Sequence, residues 1–242
     1  MKLNLQINHM PCEAQFNDDD IKDIFMPLIE KLKDLQKEKG DRLLVMMSAP
    51  PGSGKTTLCK LLSYLSDGCI CPIGMDGFHH YMSYIYEHTV IRDGKEVPMI
   101  NVKGCPDSFD LPKLTQYVKE VSAGVRSTWP DYDRMKKDPI EEAVKIDGDI
   151  VLLEGNYLLL NKPGWDILPA YADATIKLTA EPEFLRDRII KRKHATGASM
   201  EESVAFVDYS DMYNVKLCLE NLKDADIELY LSPDVRYHLI KG

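Results

Sequence analysis

Residues 49–57 read Ala49-Pro50-Pro51-Gly52-Ser53-Gly54-Lys55-Thr56-Thr57; the apolar run Leu43-Leu44-Val45-Met46-Met47 precedes them, and Leu58, Leu61, Leu62 and Leu65 follow at helical spacing. Gly52 and Gly54 permit a backbone curl whose successive N–H groups converge on one anion. The helix that follows adds the positive end of its dipole. Lys55 is placed to neutralise charge on the β- and γ-phosphates of a nucleotide, and the Thr56 hydroxyl suits a magnesium ion. Pro51, Gly52, Ser53, Gly54, Lys55, Thr56 and Thr57 are therefore the candidate nucleotide-binding residues, with ATP and Mg2+ as the expected ligands.

With a strand before and a helix after, this is the P-loop, or Walker A motif, with one departure. Ala49 stands where the pattern has its first glycine, which is tolerable if that residue keeps a negative φ. Switches, motors and kinases share this cradle, so it settles nucleotide binding and not its use.

Outward from the loop, apolar runs alternate with amphipathic helices, the pattern of a parallel sheet with crossover helices. The fold class expected is α/β: a P-loop NTPase fold, three-layer α/β/α, with a mainly parallel sheet. Strands are expected at 43–47, 69–75, 149–153, 174–178 and 227–231, the last of these closing the chain's set, with a short strand at 128–133. Helices are expected at 114–121, 183–194 and 200–222. Asp93-Gly94 is a hairpin signal inside an irregular stretch from His79 to Asp110. Residues 1–40 are read as a helical appendage, with Ile21, Ile24, Phe25, Leu28, Ile29, Leu32 and Leu35 at helical spacing. Pro27 interrupts that pattern and predicts a kink or two helices meeting there.

Two carboxylates fall at predicted strand ends. Asp76, in Gly74-Met-Asp-Gly-Phe-His-His80, is either a turn-forming Asp-Gly residue or a group that accepts a proton from an attacking hydroxyl or helps to hold magnesium. Glu154 closes the run Asp149-Ile-Val-Leu-Leu-Glu154, where an acid would touch magnesium directly or through water, unless it is simply a solvated strand end. Arg188 and Arg192 are four residues apart and share a helix face; they would stabilise a phosphoryl group in transfer, or belong to a solvated basic face.

The chain has 242 residues and a net charge of -9. That acidity disfavours nucleic acid or an anionic membrane as a main partner. No apolar run approaches the roughly 18–20 residues of a membrane span. The six cysteines show no regular framework, which suits reduced thiols and a cytoplasmic location.

Together these segments resemble the superfamily of P-loop metabolite kinases that contains phosphoribulokinase, uridine kinase and bacterial-type pantothenate kinase. The resemblance spans roughly residues 43–231 in four separated motifs, and the nearest likeness is to nucleoside or nucleotide kinase-like members linked with fructose transport. Met75-Asp-Gly-Phe-His-His80 is similar to the segment whose aspartate acts on the substrate hydroxyl, which implies that role for Asp76. Lys103-Gly-Cys-Pro-Asp-Ser-Phe-Asp110 resembles a stretch near the substrate, Leu153-Glu-Gly155 the magnesium strand end, and Arg186 to Lys193 the arginine-bearing lid. A Pro-x-Tyr-Asp-Arg segment, here Pro130 to Arg134, belongs to the same pattern.

The resemblance implies residues 41–242 as a P-loop kinase domain, with a hairpin-containing insertion near 79–110. It implies ATP-dependent transfer of the γ-phosphate to a hydroxyl of a small metabolite (a sugar, nucleoside or pantothenate-like molecule). Lys55, Asp76, Arg188 and Arg192 would be catalytic, Thr56, Glu154 and Asp76 would serve magnesium, and Lys103, Asp107, Tyr132, Arg134 and His79 would face the acceptor. His80 could face the acceptor as well, a surface or packed position being the alternative for at least one of the two histidines. The partners expected are ATP and the acceptor, and a homodimer is left open. One alternative is a nucleoside monophosphate kinase, for which residues 76–134 offer only Arg92, Arg126 and Arg134. The other is a regulatory nucleotide-dependent ATPase.

Overall fold

The computed structural model describes residues 1–7 and 10–242. The chain opens with strands β1 (Lys2–Ile7) and β2 (Met10–Gln15), paired antiparallel. A helical segment follows in three parts: α1 (Asp18–Asp20), a π-helical stretch (Ile21–Phe25) and α2 (Met26–Lys39). Pro27 sits in the first turn of α2, where its missing N–H costs least, and the wider turn upstream accommodates its ring. The expectation of a helical appendage over residues 1–40 is corrected in two ways. Residues 2–7 and 10–15 are strands, and Leu3, Leu5 and Ile7 of the first alternate with exposed residues at period 2. Phe25, Leu28, Ile29 and Leu32 share one buried cluster with Leu43, Val45 and Met47, so α2 is part of the main core.

The central sheet begins with β3 (Leu43–Ser48), buried throughout, and α3 (Lys55–Leu65) returns the chain to β4 (Ile70–Gly74). The insertion then contributes α4 (Met82–Glu87) and the hairpin of β5 (Thr89–Arg92) and β6 (Lys95–Pro98). Asp93 and Gly94 both take positive φ, 52° and 74°, the two-residue turn their sequence signals. Helix α5 (Leu111–Ser122) is capped by the Asp110 carboxylate, which accepts from the Lys113 N–H at 3.0 Å.

Strands β7 (Thr128–Asp133) and β8 (Asp138–Lys145) form a separate antiparallel ribbon. β8 was not foreseen, because Asp138-Pro-Ile-Glu-Glu-Ala-Val-Lys145 is largely exposed and lacks an apolar stripe. The chain continues through β9 (Ile150–Gly155), β10 (Ala174–Ala180), α6 (Pro182–Ala195), α7 (Met200–Phe206), a second π-helical stretch (Val207–Asp211), α8 (Met212–Asn221), β11 (Ile227–Leu231) and β12 (Tyr237–Lys241). The single helix expected over 200–222 is thus divided. β12, antiparallel to β11 at the sheet edge and mostly exposed, follows the strand expected to be last.

The sheet order is β12-β11-β10-β3-β9-β4, parallel except for β12. One face packs against α2, α3 and α6 and the other against α5, while α8 contributes Val215 to the first layer and Cys218 to the second. This is the three-layer α/β/α fold of P-loop kinases. Its register already assembles a site: Met47 and Gly74 both pair with Glu154 on the central strand β9. The phosphate loop after β3, Glu154 and the turn after β4 therefore meet at one carboxyl edge, where open α/β sheets bind ligands.

Candidate active site

The loop after β3 has the conformation its glycines predict. Gly52 and Gly54 take φ of 81° and 83°, and Gly54 caps α3. Ala49 is fully buried and is not among the described residues with positive φ, so its methyl group is accommodated. Its N–H donates to the Gly155 carbonyl at 3.1 Å, fastening the loop to β9. Ser53 Oγ is buried without a hydrogen-bond partner among the described residues. An unsatisfied hydroxyl in a cradle of amides suits an incoming anion.

Thr56 Oγ1 donates to Glu154 Oε1 at 2.6 Å. Burial pushes the Glu154 carboxyl above its usual 4.5, against the opposing pull of Lys55 and the Thr56 hydroxyl. Among the described residues no group of three or more His, Cys, Asp or Glu side chains could cage a metal. The donor set fits magnesium, which takes one or two protein oxygens and fills its octahedron with phosphate and water. A hydroxyl and a carboxylate beside an anion cradle are such a set.

Asp76 lies in the short 3-10 turn after β4 (Met75–Phe78). Gly77 explains its position: a Cβ there would meet the Pro130 carbonyl oxygen at 2.3 Å, so only glycine lets this turn abut β7. Trp129 Nε1 locks the contact by donating to the Gly74 carbonyl at 2.8 Å. Tyr132 and Arg134 are thereby carried to the same cleft, with Arg134 Nη2 4.0 Å from Asp76 Oδ2.

A cavity of about 210 Å3 brings together Lys55, Thr56, Asp76, His79, Lys103, Tyr132, Arg134 and Arg192. Burial by itself would raise the Asp76 carboxyl, but the surrounding charges prevail and hold it below the usual 3.8. His79 is pushed down to about 4, chiefly by burial, so it is neutral near pH 7. The positive charge that keeps Asp76 ionised there comes from Lys55, Arg134 and Arg192. His79 Nδ1 donates to the Asp76 carbonyl at 2.9 Å, which leaves Nε2 as an acceptor, and its ring lies 4.0 Å from that of Phe109. Lys103 Nζ donates to the Tyr132 hydroxyl at 2.6 Å. Burial lowers the Lys103 ammonium to about 8 and raises the Tyr132 phenol.

The arginines of α6 divide their tasks. Arg192 lines the cavity, and burial lowers its guanidinium. Arg188 Nε donates to the Gly52 carbonyl at 2.7 Å, bracing the phosphate loop from its outer side.

Not every candidate arrives there. Asp107 lines a neighbouring cavity of about 270 Å3 with Arg92, Lys162 and Trp165, and does not line the Asp76 cavity. Its motif is mostly architectural. Ser108 Oγ, fully buried, donates to the Cys105 carbonyl and accepts from the Gly104 N–H, and Asp110 caps α5. His80 stacks on Tyr84 at 4.1 Å and does not line the Asp76 cavity.

Three residues of the cavity lay outside the sequence motifs: Asn156, Asp211 and Asn214. Asn156 follows the Leu-Glu-Gly strand end by one residue, and its Oδ1 is buried without a partner among the described residues. Asn214 is 2% exposed, lines both cavities and carries no side-chain hydrogen bond among the described residues. A polar residue at a core-facing helix position was the available signal for it.

A nucleotide cradle, a paired hydroxyl and acid, and a basic cleft on this sheet define the class as P-loop phosphotransferases. No family model matches the chain. It is 35% identical to the Escherichia coli protein YggC, itself uncharacterised, over 98% of this chain and 99% of that one. It is 30% identical to a candidate uridine kinase of Schizosaccharomyces pombe, covering 86% of this chain and 88% of the relative. A candidate fructose-transport-system kinase from Silicibacter superposes with a TM-score of 0.75 at 25% identity, over 84% of this chain and 98% of the other. The chain belongs to the P-loop kinase superfamily of the uridine kinase-like proteins, the pantothenate kinases and phosphoribulokinase. No helix among the described residues is long and apolar enough to cross a membrane.

Proposed function

We propose that this protein transfers the γ-phosphate of ATP to a hydroxyl group of a small metabolite. The observation that carries this reading is the single cavity in which Lys55 and Thr56 of the phosphate loop face Asp76, Arg134 and Arg192. Asp76 orients the acceptor O–H and receives its proton. The acceptor oxygen forms the new bond to the γ-phosphorus while the bond from that phosphorus to the β,γ-bridging oxygen breaks, and ADP leaves. A carboxylate of low basicity suffices, because in a loose transition state positioning matters more than proton abstraction. Lys55, Arg192 and the loop amides stabilise charge on the transferring group and the leaving group. Thr56 and Glu154 would hold magnesium, which supplies charge neutralisation between the β- and γ-oxygens when bound.

The acceptor faces Lys103, Tyr132, Arg134 and His79, with Asn156 and Asn214 offering polar atoms that have no hydrogen-bond partner among the described residues. A hydroxyl acceptor is favoured over a nucleoside monophosphate by the fate of the three arginines. Arg126 pairs with Glu120 and stacks on Tyr117, Arg92 stacks on Tyr213, and of the three Arg134 alone lines the Asp76 cavity, 4.0 Å from Asp76 Oδ2. Coupled ADP release with Mg-ATP against sugars, nucleosides, pantothenate, hydroxy acids and nucleoside monophosphates tests the reading. Turnover with one alcohol is expected. Turnover with monophosphates alone, or slow hydrolysis indifferent to every acceptor, would overturn it.

A further inference from the structure

The β1–β2 hairpin reaches the phosphate loop, and nothing in the P-loop motifs accounts for it. Leu3, Leu5 and Ile7 point to one side of β1, as the alternation of half-buried and exposed residues shows. Leu3 and Leu5 pack on the main core. Ile7 continues the same stripe beyond it, and with Pro11 and Cys12 of β2 it lines a cavity of about 470 Å3 shared with Gly54, Thr57 and Arg188. Gln6, on the opposite side of the strand, lines a different cavity together with Thr56, Lys60 and Glu154. Thr56 borders both, so the hairpin lies across the first turn of α3. Its base is fixed by the Phe16 N–H, which donates to the Met1 carbonyl at 2.9 Å, and by Phe16 packed edge-on against Phe25.

We propose that this hairpin is a wall of the nucleotide site, and that the ribose and base of ATP lie against Ile7, Pro11 and Cys12. The inference rests on the phosphate-loop reading. A triphosphate seated on the Gly52–Thr57 amides continues outward past Thr57, and the cavity that opens there is bounded by the hairpin and by the end of α6 at Ala195 and Thr196. Ile7, Pro11 and Ala195 supply apolar surface for a base, while Arg188 and Lys191 flank the polar route to the phosphates. With Lys55, Arg134 and Arg192 also in its lining, the chamber joins apolar walls to five cationic side chains, a composition that suits a base on one side and phosphates on the other.

Cys12, partly exposed, reports on this directly, and Cys69, also partly exposed but lining none of these cavities, is the internal reference. Alkylation by iodoacetamide is followed at both thiols by peptide mass spectrometry, with calorimetry run alongside to establish binding. Mg-ATP and Mg-ADP are expected to slow Cys12 alkylation about tenfold or more without changing Cys69, whereas magnesium tripolyphosphate, which fills only the cradle, leaves Cys12 reactive. Calorimetric binding of ATP with an unchanged Cys12 rate overturns the proposal and leaves the phosphate loop intact, as does equal protection by tripolyphosphate. Absence of ATP binding removes the phosphate-loop reading and the proposal together. Ile7→Asp is expected to weaken ATP about tenfold and tripolyphosphate not at all. Equal weakening of both, or a lowered melting temperature, would make the hairpin scaffold only.

Discussion

Thr56 and Glu154 are 98 residues apart, yet the threonine hydroxyl donates to the glutamate Oε1 at 2.6 Å. The contact follows from the sheet. β3 and β9 are parallel neighbours with Ser48 opposite Gly155, and the loop curls back from Ser48 to set the first turn of α3 above Glu154. Glu154 is 7% exposed, and burial holds its carboxyl above the ordinary range. Such a residue opposes stability when ionised, which argues for a role in the site rather than in the fold.

Glu154→Gln tests this. The amide keeps the shape and an oxygen for the Thr56 hydroxyl, while the buried charge disappears. The melting temperature is expected to stay constant or rise, and magnesium-dependent turnover to fall about 100-fold or more. Turnover near wild type would remove Glu154 from the magnesium site, and a melting point several degrees lower would give it a structural role.

Asp76→Asn separates chemistry from nucleotide binding. The cradle is built by other residues, so the dissociation constant for ATP should move by no more than about threefold, while kcat falls about 100- to 10,000-fold. At saturating magnesium, which keeps Glu154 ionised, and with the Asp76 carboxyl held below 3.8, wild-type kcat should show no acid limb between pH 5 and 7. A limb in that range would mean that another group governs the proton.

The parts of this site that were legible in sequence are those whose chemistry is local. Gly52, Gly54 and Lys55 make a cradle out of consecutive residues, and Glu154 ends a continuous apolar strand. Lys103 and Asp107 show the limit. Both belong to one motif, but the turn at Pro106 sends Lys103 into the cleft and Asp107 out of it, a divergence that spacing alone does not encode. Asn214 lies in no motif, and a polar residue at a core-facing helix position is a faint signal beside its burial without a side-chain hydrogen bond among the described residues. The first strand was missed because its apolar residues are only half buried and the helix pattern after residue 20 dominated the reading of that segment.

That divergence gives a paired prediction. Asn214→Ala removes a buried amide free to bond the acceptor, and the acceptor KM is expected to rise about tenfold with the KM for ATP unchanged. Asp107→Asn, one cavity away, should leave both constants within about twofold. The opposite result would restore Asp107 to the acceptor site and make the neighbouring cavity part of it.

Lys103 makes the site sensitive to alkali in two separable ways. Its ammonium is lowered from 10.5 to about 8, first by burial. Between these values the unfolded chain keeps a proton that the folded chain has released, so this residue's contribution to stability grows as pH rises from about 8. Tyr132, which accepts its hydrogen bond, is shifted upward from 10, and above that pH its contribution falls as pH rises. The clean window is therefore pH 8–10, where melting temperatures of the wild type should climb relative to those of Lys103→Met. Activity should move the other way. Loss of the Lys103 charge in the same window is expected to raise the acceptor KM several-fold while kcat holds, and Lys103→Arg, which stays charged, should abolish that rise. If wild type and Lys103→Met share one pH profile in both measurements, the lysine is neither titrating in this range nor touching the acceptor.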